Sequence, residues 1–177
     1  CLLFTGTMSY RPNIEAVTHF ATEILPLIQR RSPRATFHIV GIDPEPEVRA
    51  LASERIIVHG QVPSILPYYR RAQVVVVPVL SGGGTRLKIL EAAASGKAIV
   101  TTSRGVEGLN FADGQALTVA DEESGFAEAV VRIACDPVLR RNLEQGARRA
   151  ALPYDWARIG ARYVSIVEGI GKTAASP

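Results

Sequence analysis

The sequence predicts one α/β domain: a Rossmann-like, doubly wound parallel sheet with helices on both faces. Short apolar runs alternate with longer segments of helical periodicity along the chain, which is the pattern of repeated strand–helix units. One run, Val74–Val77, is four consecutive valines, as expected for a central strand buried on both faces. The length of 177 residues is room for one such domain.

Apolar runs that end near a turn-forming residue mark the strands of this sheet. They are rich in β-branched residues, and glycine or proline closes most of them. Because strands that alternate with helices pair in parallel, we expect these runs to form one sheet. The predicted strands cover residues 1–5, 36–40, 56–58, 74–77, 98–102 and 117–119.

The segments between the strands carry the apolar stripes of amphipathic helices. The first has Ile14, Val17, Phe20 and Ile24 at helical spacing, just after Pro12. The last three are separated by Asp136-Pro137 and Pro153, which end helices. The predicted helices cover residues 13–31, 47–52, 85–95, 124–135, 137–151 and 156–168, and the small residues 169–177 are predicted to form a flexible tail.

Composition excludes several classes of protein. The net charge of +3 is too small to indicate a nucleic-acid surface. Arginine greatly outnumbers lysine, which suits phosphate binding but is equally explained by a coding bias. Cys1 and Cys135 provide neither a disulfide framework nor a metal-ligand spacing. The apolar runs are far too short for a membrane span, and a reducing, cytoplasmic compartment is expected.

The strongest local feature is a glycine loop between the valine strand and a predicted helix. Gly82, Gly83 and Gly84 come first, and Thr85 is the predicted N-cap. Two cations, Arg86 and Lys88, follow at the same helix end, where positive charge is unfavourable unless an anion is bound. The pattern therefore indicates a phosphate site, and the alternative is a flexible loop with solvated basic residues.

Two further charged residues have both a functional and a structural explanation. Glu91 can accept the hydroxyls of a ribose, or it can form a surface pair with Lys88 three residues earlier. Arg11 follows the first strand in a loop that begins at Gly6, so it either reaches a pyrophosphate or is solvated. The sequence contains no P-loop and no GxGxxG fingerprint.

An ordered series of motifs resembles the donor-binding half of the group 1 glycosyltransferases, which are GT-B-fold, retaining enzymes that use nucleotide sugars. The resemblance lies in residues 82–92, 96–102 and 105–109, which contain the glycine loop, Glu91 and the segment Gly105-Val-Glu-Gly-Leu109. The opening residues 4–13, residues 37–41 and the Tyr154-Asp-Trp156 segment fit as well, so nearly the whole chain is covered.

The resemblance implies a site for a nucleoside diphosphate sugar. Glu91 would bind the ribose, Arg11 and Lys88 would neutralise the departing diphosphate, and these three form the implied catalytic set. No metal or other cofactor would be needed, because cations and helix termini take the metal's role. The implied donor-binding set is Gly6, Arg11, Val62, Gly83, Gly84, Thr85, Arg86, Lys88 and Glu91, with Val62 beside the base.

The sequence departs from the family pattern at one position. Many relatives carry two glutamates in an E-x7-E arrangement, and the first falls at Gly83 here. A contact to the donor sugar is then missing, which leaves the sugar and the stereochemistry, retaining or inverting, open. Two alternatives stay open with it: a non-catalytic nucleotide-binding module, and a GT-B-like sugar-nucleotide epimerase.

The resemblance also implies a larger enzyme. Residues 1–168 would be the C-terminal half of a bacterial glycosyltransferase of polysaccharide biosynthesis, and a separate N-terminal domain would bind the glycan or lipid-linked acceptor. We expect these residues alone to bind nucleotide with little transfer activity. Arg140-Arg141 and Arg148-Arg149 fit either a peripheral contact with the cytoplasmic membrane or a solvated helix face.

Overall fold

The sheet has the architecture that the sequence predicts. The structure, a computed structural model, describes the backbone of residues 1–173 and the side chains of residues 1–167. All six predicted strands are present, and their ends shift by no more than two residues. The strands are β1 (Leu2–Thr5), β2 (Phe37–Val40), β3 (Ile56–Gly60), β4 (Val74–Val77), β5 (Ile99–Thr101) and β6 (Thr118–Val119).

The strand order determines where a ligand can bind. The strands lie in the order β3-β2-β1-β4-β5-β6, and every neighbouring pair is parallel. The chain builds outward from β1 in one direction and then, from β4, in the other. The reversal between β1 and β4 opens a crevice at their carboxyl ends, where doubly wound folds bind ligands.

Helices cover both faces of this sheet, which confirms the predicted fold class. Helices α1, α2 and α7 pack together on one face, and α5 and α8 pack on the other. They are α1 (Arg11–His19), α2 (Leu25–Arg31), α3 (Pro46–Arg49), α4 (Leu66–Arg71), α5 (Leu87–Ala94), α6 (Ser103–Val106), α7 (Glu123–Cys135), α8 (Pro137–Ala151) and α9 (Trp156–Thr173).

Two of these helices, α4 and α6, were not expected from the sequence. They are six and four residues long, too short to show a helical period. The short helix predicted at residues 47–52 is α3, which begins at Pro46 and ends at Arg49. Helix α6 contributes Gly105 to the cleft described below, and α4 carries the buried Tyr69.

The first predicted helix, residues 13–31, is interrupted by a π-helical turn. The π turn covers Phe20–Ile24 and separates α1 from α2. Pro26 lies at the start of α2 and has no backbone N–H to donate to the preceding turn. The ladder of hydrogen bonds therefore shifts by one residue there, which is the usual form of a π-bulge.

The start of α5 and the end of α9 are two of the helix boundaries that differ from the sequence prediction. Helix α5 starts at Leu87, so Arg86 and not Thr85 is its N-cap residue. Gly82 and Gly84 both have φ of +91°, and these turns delay the first helical residue. Helix α9 continues to Thr173, because a glycine at 169 costs a helix only about 1 kcal/mol and does not end it. The first five residues of the predicted tail are therefore helical, and residues 174–177 lie outside the described residues.

The core is a continuous apolar layer on each side of the sheet. Phe20 packs against Phe37 and Phe126, with ring centroids 4.5 and 6.0 Å apart, and so joins the π turn to β2 and α7. All described side chains of α9 are exposed, in contrast. None of the described helices is both long and apolar enough to span a bilayer.

Candidate functional site

A cleft of about 400 Å³ lies at the reversal of strand order. This volume is within the range of small-molecule sites. The loop after β1 forms one wall, the loop after β4 and the first turns of α5 form the other, and α6 closes one end with Gly105. The lining residues are Thr5, Gly6, Thr7, Tyr10, Pro12, Asn13, Val77, Val79, Ser81, Gly83, Thr85, Arg86, Leu87, Lys88, Glu91 and Gly105.

At Gly82 the glycine loop approaches the opposite wall too closely for a side chain. A Cβ at Gly82 would lie 2.8 Å from Cγ of Pro12 and 3.1 Å from the hydroxyl of Tyr10. Gly83 differs, since an added Cβ there would meet no atom within 4 Å. The loop thus brings bare backbone to the cleft, as a phosphate-binding loop requires.

Lys88 is a partly buried cation in the cleft wall. Its ammonium donates a hydrogen bond to Oδ1 of Asn13 and lies 4.5 Å from the centre of the Phe4 ring, where a cation–π contact forms. Burial, together with the neighbouring charge of Arg86, lowers the pKa of Lys88 to about 8, and the charge of Glu91 opposes this shift. Without a closer anion, the charged form of Lys88 is therefore destabilised relative to the neutral form.

Asn13 ties the two walls of the cleft together, and sequence reasoning missed it. Its Nδ2 donates to the Thr7 carbonyl oxygen at 2.9 Å, and its Oδ1 accepts from Lys88. A Cβ at Gly6 would lie 2.7 Å from this Nδ2, so the glycine makes room for the amide. The sequence does carry a signal for it: Asn13 is a polar residue one turn before Val17, on the stripe that α1 buries. A buried amide needs hydrogen-bond partners.

Arg86 is the second cation of the cleft. Its Nη2 donates to the Gly82 carbonyl oxygen at 3.2 Å and to Oε2 of Glu107 at 3.3 Å. The side chain is only 11% exposed, and its Nε has no hydrogen-bond partner among the described residues. A buried donor without a partner is costly, so a small shift of this side chain toward an acceptor would be favourable.

Glu91 lies at the edge of the cleft on α5 and does not pair with Lys88. One carboxylate oxygen accepts a long hydrogen bond from the hydroxyl of Tyr69, at 3.4 Å. Lys88 is engaged by Asn13 instead, and no ion pair joins Lys88 to Glu91 in the described part of the chain. The simple surface-pair explanation of Glu91 is therefore wrong.

Three of the predicted site residues lie outside the cleft wall. Arg11 is two-thirds exposed and binds Glu15 and Glu47 at 3.1 and 3.0 Å. Val62 packs against the core after β3, an edge strand two positions away from β1. Gly84 turns the chain behind the lining residues Gly83 and Thr85. The cleft does bring together Gly6, Gly83, Thr85, Arg86, Lys88 and Glu91.

The fold and this cleft define a Rossmann-like domain with a cation-lined cleft at its switch point. The sequence profile of the glycosyl transferases group 1 matches residues 1–136. The chain therefore belongs to the group 1 glycosyltransferase family, as the motifs indicated.

Curated relatives share the family but are longer. The chain is 29% identical over 153 residues to phosphatidyl-myo-inositol mannosyltransferase of Mycolicibacterium smegmatis, which covers 82% of the chain and 40% of that protein. It is also 29% identical over 169 residues to glycogen synthase of Mycobacterium tuberculosis, covering 89% of the chain and 40% of the relative. The chain thus spans about two-fifths of the length of these relatives.

Solved structures of GT-B glycosyltransferases have the same fold. Sucrose-phosphate synthase of Thermosynechococcus elongatus superposes with a TM-score of 0.75 at 20% identity, over 99% of this chain and 46% of that one. HepE of Anabaena, solved with UDP and glucose, gives 0.70 at 16% identity, over 99% and 48%. The C-terminal domain of a Francisella tularensis group 1 protein gives 0.67 at 20% identity, over 84% and 82%.

Proposed function

We propose that this chain is the donor-binding domain of a glycosyltransferase and that its cleft binds a nucleoside diphosphate sugar. The observation that carries the proposal is the pair of half-buried cations at the start of α5. Lys88 is held by neutral Asn13 with a lowered pKa, and Arg86 has an unpartnered Nε. A group with two negative charges would pair with both cations, with Arg86 shared between this group and Glu107. The HepE structure with UDP and glucose supports this ligand class by fold.

The pyrophosphate would lie between the glycine loop and the start of α5. The positive end of the helix dipole attracts anions, and Gly83 and Thr85 line the same space. Lys88 and Arg86 would neutralise its charge from within the wall. Because both are partly buried, their attraction to phosphate is stronger than that of solvated surface cations.

The ribose would then lie against Glu91. This residue follows Lys88 by three positions on α5, so about 4.5 Å of helix rise separates the phosphate contact from the carboxylate. A carboxylate accepts hydrogen bonds from two adjacent hydroxyls, as acidic residues do in dinucleotide sites. The same helix would thereby select a nucleoside diphosphate over inorganic pyrophosphate.

In the complete enzyme these cations would act on the leaving group. When the bond between the sugar and the diphosphate breaks, negative charge develops on the diphosphate oxygen, and Lys88 and Arg86 would stabilise it. Arg11 could assist only after releasing Glu15 and Glu47. The relatives named for phosphatidyl-myo-inositol and for glycogen support a lipid-linked or glycan acceptor, which another part of the enzyme would bind.

A non-catalytic nucleotide-binding domain is the second candidate, favoured by glycine at position 83. The open space there, where a Cβ would meet no atom within 4 Å, leaves room for the glutamate of the E-x7-E pattern. A transfer assay with a chain that also contains an acceptor domain separates the two candidates. Product would support the enzyme, and nucleotide binding without turnover would support the binding module.

Thermal unfolding with UDP, GDP and ADP tests the donor-binding proposal. A ligand that binds only the native state raises Tm, and a concentration 100 times Kd stabilises by about 2.7 kcal/mol. We expect one of the three nucleotides to raise Tm of the native protein and to lose most of this effect in Glu91→Ala. Glu54→Ala is the control, since Glu54 is 89% exposed in the loop before β3. If none of the three nucleotides raises Tm, the proposal is wrong.

A further inference from the structure

We infer that Tyr69 is a positioning residue that orients the carboxylate of Glu91 through a buried hydroxyl relay, Thr5–Tyr69–Glu91. The relay joins β1, α4 and α5 beneath the cleft. The inference rests on the proposed function in one respect, namely that Glu91 binds the ribose hydroxyls. It adds a residue that does not itself line the cleft.

Tyr69 is placed so that its hydroxyl alone can matter to the site. The side chain is 1% exposed and belongs to the core, yet the hydroxyl oxygen is 3.1 Å from Oγ1 of Thr5 and 3.4 Å from Oε2 of Glu91. A buried hydroxyl needs partners. Both partners lie at the cleft, since Thr5 and Glu91 are among its lining residues.

The direction of the hydrogen bonds follows from the chemistry of the three groups. An ionised carboxylate only accepts, so Tyr69 donates its single hydroxyl proton to Glu91 and accepts from Thr5. Burial and the charge of Glu91 raise the pKa of Tyr69, although the bond from Thr5 opposes this. The hydroxyl therefore keeps its proton. A chain of aligned hydrogen bonds strengthens each member.

The relay would reduce the freedom of an otherwise mobile side chain. Glu91 is exposed, and within the described part of the chain Tyr69 is the only hydrogen-bond partner of its carboxylate. With one oxygen held from below, the other oxygen and the remaining lone pairs face the ligand. A carboxylate that is ordered before binding loses less rotamer entropy when the two hydroxyls arrive. The 3.4 Å contact can tighten in that complex.

The test compares a nucleoside diphosphate with its 2′,3′-dideoxy form. Calorimetry would use whichever of UDP, GDP and ADP binds the native chain, and the 2′,3′-dideoxy form of the same nucleotide. Tyr69→Phe keeps the buried ring and removes only the hydroxyl. We expect it to weaken binding of the ribose form by roughly three- to tenfold and to leave binding of the dideoxy form unchanged.

Tyr68→Phe is the matched control. Tyr68 is the neighbouring residue on α4, its ring packs edge-on against His59, and its hydroxyl has no hydrogen-bond partner among the described residues. We expect this variant to bind both forms like the native chain. Thr5→Val, which keeps the shape of the side chain, provides a second probe if Tyr69→Phe does not fold. It should reduce the preference for the ribose form by roughly two- to threefold.

The outcomes separate the inference from the proposal on which it rests. If Glu91→Ala weakens both nucleotide forms equally, Glu91 does not bind the ribose and that part of the proposed function is wrong. If Glu91→Ala removes the preference for ribose but Tyr69→Phe and Thr5→Val keep it, the relay is wrong. A Tyr69→Phe variant that weakens both forms equally would show a structural role only, which also overturns the inference.

Discussion

Lys88 is the residue on which the candidate site depends most. Its cation lies against Phe4 and the amide of Asn13, and burial together with the charge of Arg86 lowers its pKa to about 8. A charge held in this way costs free energy in the empty protein, although partial exposure reduces that cost. An anion bound beside Lys88 would offset this cost, so the buried charge would favour binding rather than stability.

Replacement of this cation should separate stability from binding. Lys88→Met removes the burial penalty but leaves Oδ1 of Asn13 without a donor, so we expect the free energy of unfolding to change by no more than about 1 kcal/mol. Binding of the nucleoside diphosphate should weaken at least about tenfold. Lys97→Met is the control, because Nζ of Lys97 donates to the Ala72 carbonyl oxygen at 3.1 Å, before β5 and away from the cleft.

The lowered pKa of Lys88 also predicts proton uptake on binding. The anion favours the charged form, so the pKa of Lys88 is about 8 in the free protein and higher in the complex. Affinity is then full below pH 8 and falls as pH rises above it, and binding at pH 8 takes up about 0.5 proton. Calorimetry in buffers of different ionisation enthalpy measures this uptake. Lys88→Arg keeps the charge and should abolish the uptake, and the same uptake in this variant would contradict the assignment.

At the scale of one element, the neighbouring glycines of the loop differ in backbone conformation and in the space for a side chain. Gly82 has φ of +91°, and a Cβ there would lie 2.8 Å from Pro12. Gly82→Ala should therefore lower the free energy of unfolding by about 1–3 kcal/mol. Gly83 has open space and a φ outside the left-handed region, so Gly83→Ala should change it by less than about 0.5 kcal/mol. Denaturant midpoints measure both, and equal losses would contradict the loop geometry.

The edge of the sheet contains a second titrating element. Nδ1 of His38 on β2 is 2.9 Å from Nε2 of His59 on β3. Burial lowers the pKa of both rings; the charges of His59, the N-terminus and Arg71 add to the shift of His38, and that of Arg71 to the shift of His59. The native state then binds fewer protons than the unfolded chain just below pH 6.5, and stability falls as pH decreases through that window.

His59→Gln should remove most of this dependence. Between pH 7.5 and pH 5, we expect the decrease in Tm to be about 2–4 °C smaller in His59→Gln than in the native chain. His19→Gln is the control, because His19 contacts Glu123 on α7 and lies away from this pair. An unchanged decrease in His59→Gln would show that the pair does not titrate during unfolding.

Helices and strands with a clear apolar pattern were predictable from the sequence. Short helices, and features that depend on packing between distant segments, were not. The valine run of β4 and the stripe of α1 follow from burial alone. The start of α5 does not, because two left-handed glycines determine where the helix begins. Asn13 and Tyr69 become part of the site only through packing between elements. Arg11 also depends on contacts that the sequence did not show, since Glu15 and Glu47 pair with a side chain that the motif assigns to phosphate.

At the scale of the whole molecule, the strand order explains why these residues meet. The reversal between β1 and β4 brings the loop after Thr5 and the loop after Val77 to one crevice, although more than 70 residues separate them. The alternation of strands and helices predicted such a crevice from the sequence. The sequence did not show which loops form this crevice, because strand order and register depend on long-range contacts.

The most direct test of the donor-binding proposal is to locate the residues at which a nucleoside diphosphate binds. Amide chemical shifts of the native chain, followed during titration with the nucleotide that raises Tm, locate the site residue by residue. We predict the largest changes at Gly6, Gly83 and Gly105, which line the cleft between β1 and β4, and little change at Ala35 and Gln73, at the amino ends of the strands. Changes concentrated at Ala35 and Gln73, or none at the cleft glycines, would contradict the account.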